Sequence, residues 1–452
     1  MKYLIPSLLV SASLLLVACG SDKDNGSNDQ PSASPLACDD SGTSPAGLVL
    51  SSTANSEQML GEALYFDTNL SFNRSQSCAS CHNPEKGFVD DRCNISSLNQ
   101  HFPPASVGAN GTSIGDRNAP TAAYAAFSSD FRKGSRQRAP SQRTSGIGAY
   151  EGYLGGQFWD GRAIDLAAQA GGPPTNPAEM GMADKASTVA RLQENQHYIN
   201  SFKALYGDDV FDEVETAYDA MANAIGEFEK KSADTFYPFD SKYDQSLKGE
   251  YFYEPDSLAA TGKTLFFSSD FTCAACHQLR NSNSDRGETF TSFEYHNIGV
   301  PENTDLRAVN GVAEDFVDLG LALNRMLPQA EKAENEGKFK VPTMRNVAIT
   351  APYMHNGVFD TLEAVLNFYE HAKIRARQQN DPQLENTVVN PETGQAFRVP
   401  EVNRNIEHEL LSGNDVVLTP RRIKAFECFF MTLTDKRYEA LLDQQKVSEC
   451  GI

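Results

Sequence analysis

The sequence predicts a mainly α-helical protein built from two tandem units with long loops, and three observations support this prediction. The pattern Cys-x-x-Cys-His occurs twice, at residues 78–82 and 273–277. Similar stretches precede the two copies, GEALYF at 61–66 and GKTLFF at 262–267, which indicates an internal repeat. The other periodic segments have the spacing of amphipathic helices, and strand signals are few and short.

The composition is that of an ordinary globular protein with an acidic surface. Its 452 residues suffice for two or three domains. Hydrophobic residues make up 40% and charged residues 22%. The net charge of -21 argues against binding to nucleic acid or to an anionic membrane face. Such a surface would suit a basic redox protein as partner, although it also serves solubility alone.

Residues 1–19 have the features of a lipoprotein signal peptide. Lys2 is followed by an apolar run over 4–16, which is too short and too early for a spanning helix. The small residues before Cys19 resemble the lipobox of bacterial lipoproteins, and Gly20 after it favours the outer membrane. Residues 20–46 are polar and predict a flexible tether. We therefore expect a periplasmic protein, lipid-anchored at Cys19, in a Gram-negative bacterium; plain secretion is the alternative.

The two Cys-x-x-Cys-His motifs predict two covalently attached c-type haems. Two thiols at this spacing reach the vinyl groups of one porphyrin, and the following histidine binds the iron. A structural zinc site would pair its Cys-x-x-Cys units over a shorter separation, and a redox dithiol does not need the histidine. The predicted attachment and ligand residues are Cys78, Cys81, His82, Cys273, Cys276 and His277.

Four further cysteines remain for disulfides. An exported compartment is oxidising, so two disulfides are expected among Cys38, Cys93, Cys428 and Cys450. Sequence alone permits three pairings. We prefer Cys38–Cys93 and Cys428–Cys450, because each pair closes a local loop.

The sequence predicts two cytochrome c-like haem domains, at 47–246 and 247–452. Residues 237–254 are expected to cross from the first domain to the second. Thr361 and Thr419 are expected to cap helices, the second with Pro420 in its first position. The polar stretch 375–415 is expected to be a surface excursion or lid. The predicted helices are 57–66, 186–205, 214–231, 361–372 and 419–433.

The sequence resembles the bacterial di-haem cytochrome c peroxidase and MauG family. The resemblance extends over most of the chain in the family's order and rests on several matching pieces. Besides the two haem motifs these are 70–71 (LS), 117–121 (RNAPT), 158–163 (FWDGRA), 176–180 (NPAEM), 296–301 (HNIGVP), 341–346 (VPTMRN) and 350–357 (TAPYMHNG). The fold this implies is the tandem haem architecture described above.

The resemblance implies roles for individual residues at the first haem. His82 would be the proximal ligand of the haem that reacts with peroxide, with Glu179 and Gln169 in the distal pocket. A carboxylate there can move a proton between the two peroxide oxygens. Read without the family, Glu179 is a solvated loop acid. Trp159, the only tryptophan, would lie between the haems and relay electrons.

The resemblance also implies a calcium ion between the domains. Asn118 would bind it through its side chain or carbonyl, and Thr350 and Pro352 through backbone carbonyls. Oxygen ligands of this type suit a hard cation.

Two positions favour the MauG-like branch of the family over the conventional peroxidases. The loop 107–117 contains no histidine to cap the first iron, with His101 the only nearby rival, and Pro173 matches the distal proline of MauG-like members. Conventional peroxidases carry Met fourteen residues after the position of His355, where this chain has Tyr369. A phenolate would replace a thioether as the sixth ligand of the second haem, opposite His277. The alternatives are that Tyr369 is a core aromatic, or that His371 or Met354 binds instead.

These features together predict an exported di-haem enzyme of the MauG-like branch. Hydrogen peroxide would generate a high-valent state shared by both haems through Trp159, and that state would oxidise an external donor or a partner protein. One rival is a conventional di-haem cytochrome c peroxidase supplied with electrons by a small cytochrome c or cupredoxin. The others are a non-catalytic di-haem electron carrier and, more remotely, a di-haem dioxygenase.

Overall fold

The fold of this chain is mainly helical. The computed structural model describes residues 50–92, 105–138, 147–280, 286–414 and 416–452. The predicted signal peptide and tether, the predicted Cys38–Cys93 disulfide and His101 lie outside these ranges. The helices within them are α1 Glu57–Tyr65, α2 Cys78–Cys81, α3 Leu166–Ala170, α4 Lys185–Leu192, α5 Gln196–Tyr206, α6 Val214–Lys231, α7 Ala233–Phe236, α8 Lys242–Lys248, α9 Leu258–Phe266, α10 Cys273–Cys276, α11 Thr304–Arg307, α12 Leu362–Arg377, α13 His408–Ser412, α14 Pro420–Met431 and α15 Gln444–Cys450.

The strands are short and form antiparallel pairs. Strand β1 Arg132–Arg136 pairs with β2 Tyr150–Leu154. The other two pairs have two residues in each strand: β3 Tyr295–His296 with β4 Phe339–Lys340, and β5 Val389–Asn390 with β6 Gln395–Ala396. Most of the chain between helices is therefore loop, as the sequence predicts.

Local capping explains where the helices begin. The side chain of Thr361 accepts a hydrogen bond from the amide of Ala364 at the start of α12, and Thr419 does the same for Arg422 in α14. The prediction of one helix over 186–205 is wrong. The chain instead forms α4 and α5, because the Asn195 side chain accepts from the amide of His197 and begins a new helix.

The internal repeat is confirmed by two equivalent helix crossings. Helix α1 packs on α6 in the first half, and α9 packs on α14 in the second. A Cβ atom at Gly61 would stand 1.8 Å from the carbonyl oxygen of Ala224, and one at Gly262 would stand 1.9 Å from that of Ala425. Each crossing therefore brings two backbones into contact and requires glycine. The domain boundary between residues 246 and 247 stays a prediction.

Two separate hydrophobic clusters surround the two motifs. The first includes Ala79 of α2 and Phe228 of α6. The second includes Ala274 of α10 and Phe429 of α14, which occupy the corresponding places. Each cluster contains a dense set of aromatic rings, so each motif lies against an apolar wall.

A disulfide links α14 to the last helix. Cys428 and Cys450 are bonded and buried, which confirms the predicted pair. The four cysteines of the two motifs are not in disulfides. None of the helices in the described ranges is long and apolar enough to cross a membrane.

Candidate functional site

Each Cys-x-x-Cys-His motif folds as a single helical turn that ends at its histidine. The amide of His82 donates to the carbonyl of Cys78, and that of His277 donates to Cys273, both at 2.9 Å. Burial raises the pKa of the Cys81 and Cys273 thiols to about 12. The two cysteines of each motif are three residues apart in one helical turn, which places them on the same face, as attachment of a single porphyrin requires.

The two histidines are held by equivalent carbonyl groups. The Nδ1 atom of His82 donates to the carbonyl of Phe88 at 3.3 Å, and that of His277 donates to Phe290 at 3.2 Å. Burial lowers the pKa of both imidazoles, that of His277 to about 4. A neutral imidazole with Nδ1 engaged leaves Nε2 for a metal, so both residues fit a haem iron.

A large cavity opens beside the second motif. It contains about 1750 Å³ of empty space, including its open mouth. His277 and Tyr369 both line it, together with the two motif cysteines and Trp159. Its apolar wall includes Phe266, Phe271, Leu366, Phe426 and Phe430. Thiols, an imidazole and an aromatic wall around one space are the features that a covalently bound haem needs.

Three residues compete for the place opposite His277. Tyr369 on α12 lines the cavity, and burial together with the charges of Cys276 and Cys273 raises the pKa of its phenol. Met354 lines the same cavity. His371 is not among the lining residues, and its ring packs on Phe397 with the ring centres 5.1 Å apart. The structure thus places Tyr369 and Met354 near the predicted haem and directs His371 elsewhere.

The stretch between α12 and α14 covers part of this cavity. Glu401, Val402 and Leu411 line it. The segment is anchored where Glu407 accepts from Nδ1 of His296 at 2.7 Å. Asn297 fastens the same segment by donating to the carbonyl of Val402 at 3.1 Å. Part of the expected excursion over 375–415 therefore forms a wall of the second site.

Trp159 lies where two cavities meet. It lines the cavity of the second motif and also a smaller cavity bordered by Asn118 and Pro352. Its indole nitrogen donates to the carbonyl of Asn118 at 2.8 Å, and it is 9% exposed. The ring is thus fixed and largely excluded from solvent.

The three residues expected at a calcium ion are brought together. Asn118, Thr350 and Pro352 line the smaller cavity, and the Asn118 amide donates to the Pro352 carbonyl at 2.7 Å. All three offer neutral oxygen atoms. The part of the chain that the structure describes contains no group of three His, Cys, Asp or Glu residues that could hold a metal. The calcium ion stays a prediction.

The segment 166–182 carries the residues expected in the distal pocket of the first haem. Gln169 is half-buried in α3, and Pro173 begins the turn that follows. The carbonyl of Pro173 accepts from the amide of Met180 at 3.2 Å, which closes the loop that holds Glu179. Burial is the main cause that raises the pKa of Glu179. Burial raises the pKa of both thiols of the first motif, and the negative charge of Glu179 contributes to the same increase.

The loop 105–117 packs against the Glu179 turn. The amide of Ala109 donates to the carbonyl of Glu179 at 2.6 Å. A Cβ atom at Gly108 would stand 2.6 Å from the carbonyl oxygen of Ala178. The loop carries no histidine, so in this place it offers no imidazole to the first site.

Sequence reasoning missed the charged residues that surround Trp159 and Glu179. Arg162 lies 3.8 Å from the centre of the Phe158 ring, and its charge lowers the pKa of Glu179. Lys340 lines both cavities and donates to the carbonyl of Gly156 at 2.5 Å; burial lowers its pKa to about 7. Arg162 lies within the stretch 158–163 and Lys340 directly precedes the stretch 341–346, both of which resemble the family. This position is the one feature of the sequence that indicates them.

A buried ion-pair network supports the same region. Arg117 pairs with Asp160 at 2.8 Å and with Asp318 at 2.6 Å. Asp160 follows Trp159 directly, and Asp318 lines the second cavity. The partners are separated by 43 and 201 residues, so no local pattern reveals them.

Comparison with known proteins gives the family. The family model described as di-haem cytochrome c peroxidase matches residues 55–251. The methylamine utilization protein MauG of Paracoccus denitrificans is 41% identical over 391 residues, which cover 86% of this chain and 91% of MauG. The cytochrome c551 peroxidase of Nitrosomonas europaea is 30% identical over 307 residues, 67% of this chain and 70% of that protein.

Solved structures agree with the sequence relatives. The crystal structure of the di-haem peroxidase BthA from Burkholderia thailandensis superposes with a TM-score of 0.69 at 26% identity, covering 87% of this chain and 89% of BthA. This likeness confirms the predicted mainly helical, cytochrome c-like fold. The family's cofactors are two c-type haems, which the two motifs and their apolar surroundings fit. The chain belongs to the di-haem cytochrome c peroxidase and MauG family, whose members are peroxide-using enzymes.

Proposed function

We propose that this enzyme uses hydrogen peroxide to oxidise an external donor or a partner protein, in the manner of the MauG-like branch. The observation that carries the proposal is the position of Tyr369 on the wall of the cavity that also contains His277. A phenolate ligand is hard and anionic, so it favours the oxidised metal where a thioether favours the reduced one. The absence of histidine from the loop 107–117 supports an accessible first iron.

The residues expected near the first haem would transfer protons and orient the bound peroxide. Two bound haems would supply the redox chemistry of the enzyme. Glu179 would take a proton from the peroxide oxygen near the metal and return it to the leaving oxygen. Arg162, whose charge acts on that carboxyl, would keep part of it ionised. Pro173 and Gln169 would shape the space above the porphyrin face.

The tryptophan between the cavities would connect the two sites. Trp159 borders the cavity of the second motif, and its indole is held by the Asn118 carbonyl at the smaller cavity, which the first motif does not line. Since Asn118 also contacts Pro352, a calcium ion bound at that place would position the indole through its hydrogen-bond partner. Electron transfer between haems would therefore depend on calcium, although the ion itself would take no part in the chemistry.

Addition of peroxide to the fully oxidised protein tests the proposal. We expect a resting electron paramagnetic resonance spectrum with one high-spin and one low-spin ferric haem, and a fast loss of the Soret band with no prior reduction. A new near-infrared absorption should accompany that loss. Two low-spin haems that ignore peroxide until one electron is added would contradict the open first site.

A conventional cytochrome c peroxidase is the second candidate, and Met354 favours it. This residue lines the same cavity as Tyr369 and offers a thioether, the ligand type that conventional members carry at the position of Tyr369. A small cytochrome c or a cupredoxin would then deliver electrons for peroxide reduction. The net charge of -21 suits a cationic carrier of either kind. Rapid steady-state turnover with a reduced basic cytochrome c, falling as salt rises, would favour this candidate over oxidation of a partner protein.

The proposed location is the periplasm, with the chain anchored to the outer membrane by lipid on Cys19. The support is the short apolar segment before Cys19 and the polar stretch that follows it. Covalent attachment of c-type haem and the disulfide between Cys428 and Cys450 agree with an oxidising compartment. Fractionation of cells that express the full chain tests this proposal.

A further inference from the structure

The loop that follows the second haem motif is held by a buried carboxylate. Glu288 is fully buried, and its two oxygens accept three backbone hydrogen bonds. The donors are the amides of Leu279 at 2.9 Å, Arg280 at 2.8 Å and Phe290 at 2.9 Å. The carboxylate therefore joins residues 279–280, which follow His277, to Phe290, whose carbonyl His277 contacts.

Arg345 fixes this loop from the other side. Its Nε and Nη2 atoms donate to the carbonyl of Glu288 at 2.9 and 2.6 Å. The same guanidinium pairs with both oxygens of Asp244 at 2.5 and 2.8 Å. Arg345 is fully buried, and the ring of Phe290 lies 5.2 Å from its central carbon. A planar donor with this many partners has one possible position, so it fixes the backbone at Glu288.

Phe290 is held in a backbone conformation that is unfavourable for a residue with a side chain. Phe290 has φ of 54°, in the left-handed region. This conformation directs its carbonyl at Nδ1 of His277, 3.2 Å away. A hydrogen bond at that atom raises the basicity of the nitrogen that binds metal. The contacts of Glu288 and Arg345 therefore bear on how strongly His277 donates.

The first half of the chain provides an internal comparison. Phe88 has φ of 60° and accepts from His82 at 3.3 Å, so the carbonyl contact is the same. Lys86 stands two residues before Phe88, where Glu288 stands two residues before Phe290. Ala123 follows Thr121 by two residues, as Arg345 follows Thr343. The Thr121 hydroxyl donates to the carbonyl of Gly87, and the Thr343 hydroxyl donates to Thr289. The hydroxyl contact is duplicated, whereas the carboxylate and the guanidinium belong to the second half alone.

The structure assigns to Glu288 and Arg345 the role of positioning residues that fix the Phe290 carbonyl against His277 and so strengthen the axial donor of the second haem. This inference rests on the proposed function, which makes His277 a haem ligand. The stronger donor stabilises the ferric state and keeps the second haem low-spin. Behind His82 the Thr121 hydroxyl makes the same contact, but Lys86 and Ala123 stand in the places of Glu288 and Arg345, so the Phe88 carbonyl lacks these two supports.

The test compares variants of the holoprotein by spectroelectrochemical titration of each haem and by electron paramagnetic resonance. We expect Arg345→Met and Glu288→Gln to raise the midpoint potential of the second haem and to change the g values of its low-spin signal. Arg345→Lys should recover part of the shift, because one cation remains. Lys86→Gln, at the position that corresponds to Glu288, should leave both haems unchanged.

Two results would overturn the assignment. One is an unchanged potential and unchanged g values of the second haem in variants that hold two haems. The other is an equal shift of both haems, which indicates a general loosening of the fold. If Arg345→Met fails to retain its haem, Arg345→Lys decides by the same criteria. Failure of the proposed function would be distinguishable, because the native protein would then not react with peroxide. The potential of its second haem could still be measured and compared with that of the variants.

Discussion

Replacement of Glu179 by glutamine tests the role of the carboxyl group near the first motif. Glutamine has nearly the same shape and can still accept the hydrogen bond that Asn176 gives to Glu179. The change removes the ability to take and return a proton while Pro173 and Met180 keep the turn closed. We expect the resting spectrum of Glu179→Gln to match that of the native protein.

The size of the effect follows from the loss of one acid–base group. A positioned proton carrier contributes about 100- to 10,000-fold to the rate of a reaction of this type. At about 1.4 kcal/mol for each factor of ten, this is roughly 3 to 5 kcal/mol in the activation barrier. Burial raises the pKa of Glu179 above that of an exposed glutamate. Because the deprotonated form accepts the first proton, the native rate should fall as the pH drops through this raised pKa, whereas the variant should lack this decrease.

Rapid mixing of the oxidised protein with peroxide, followed at the Soret band between pH 4 and pH 9, measures both quantities. Glu194→Gln is a matched control, since Glu194 is an exposed glutamate paired with Arg74 on the surface. It should react at the native rate. A loss below tenfold in Glu179→Gln, or a variant that retains the acid decrease of the native protein, would refute the assignment of the proton carrier.

Three further predictions concern the second haem, the fold and the anchor. Tyr369→Phe should change only the low-spin resonance signal, while Met354→Leu should leave it unchanged; the reverse pattern would assign the ligand to Met354. Gly262→Ala should lower the free energy of unfolding by about 1–3 kcal/mol, because its new Cβ would meet a backbone oxygen at 1.9 Å. Chemical denaturation measures this, and Gly148→Ala, which would meet nothing within 4 Å, should change it by about 0.5 kcal/mol or less. Cys19→Ala should move the protein from the membrane fraction to the soluble periplasmic fraction, and unchanged membrane association would contradict the lipid anchor.

The parts of the fold that are encoded locally could be read from the sequence. The two haem motifs, the caps at Thr361 and Thr419, and the disulfide between Cys428 and Cys450 each depend on residues that are close along the chain. The wrong prediction of a single helix over 186–205 also has a local cause. An amphipathic period continues through a break when a side chain such as that of Asn195 starts a second helix on the same face.

The charged framework of the site could not be read in this way. Arg345 meets Glu288 across 57 residues and Asp244 across 101. Arg117 meets Asp318 across 201 residues. Which residues form such pairs depends on how the loops pack in three dimensions. A single sequence contains no period or spacing from which these pairs can be predicted. The family resemblance marks some of these residues but does not pair them.

The glycine crossings constrain how the two halves can change. At Gly61 and Gly262 two helices touch through their backbones, so no exchange of side chains at these positions can change the helix spacing by small steps. The two haem sites have room to diverge only in the loops that surround this rigid frame. An engineer who wishes to convert one chemistry into the other should redesign residues 166–182 and the wall residues Glu401, Val402 and Leu411, and leave the helix pairs untouched.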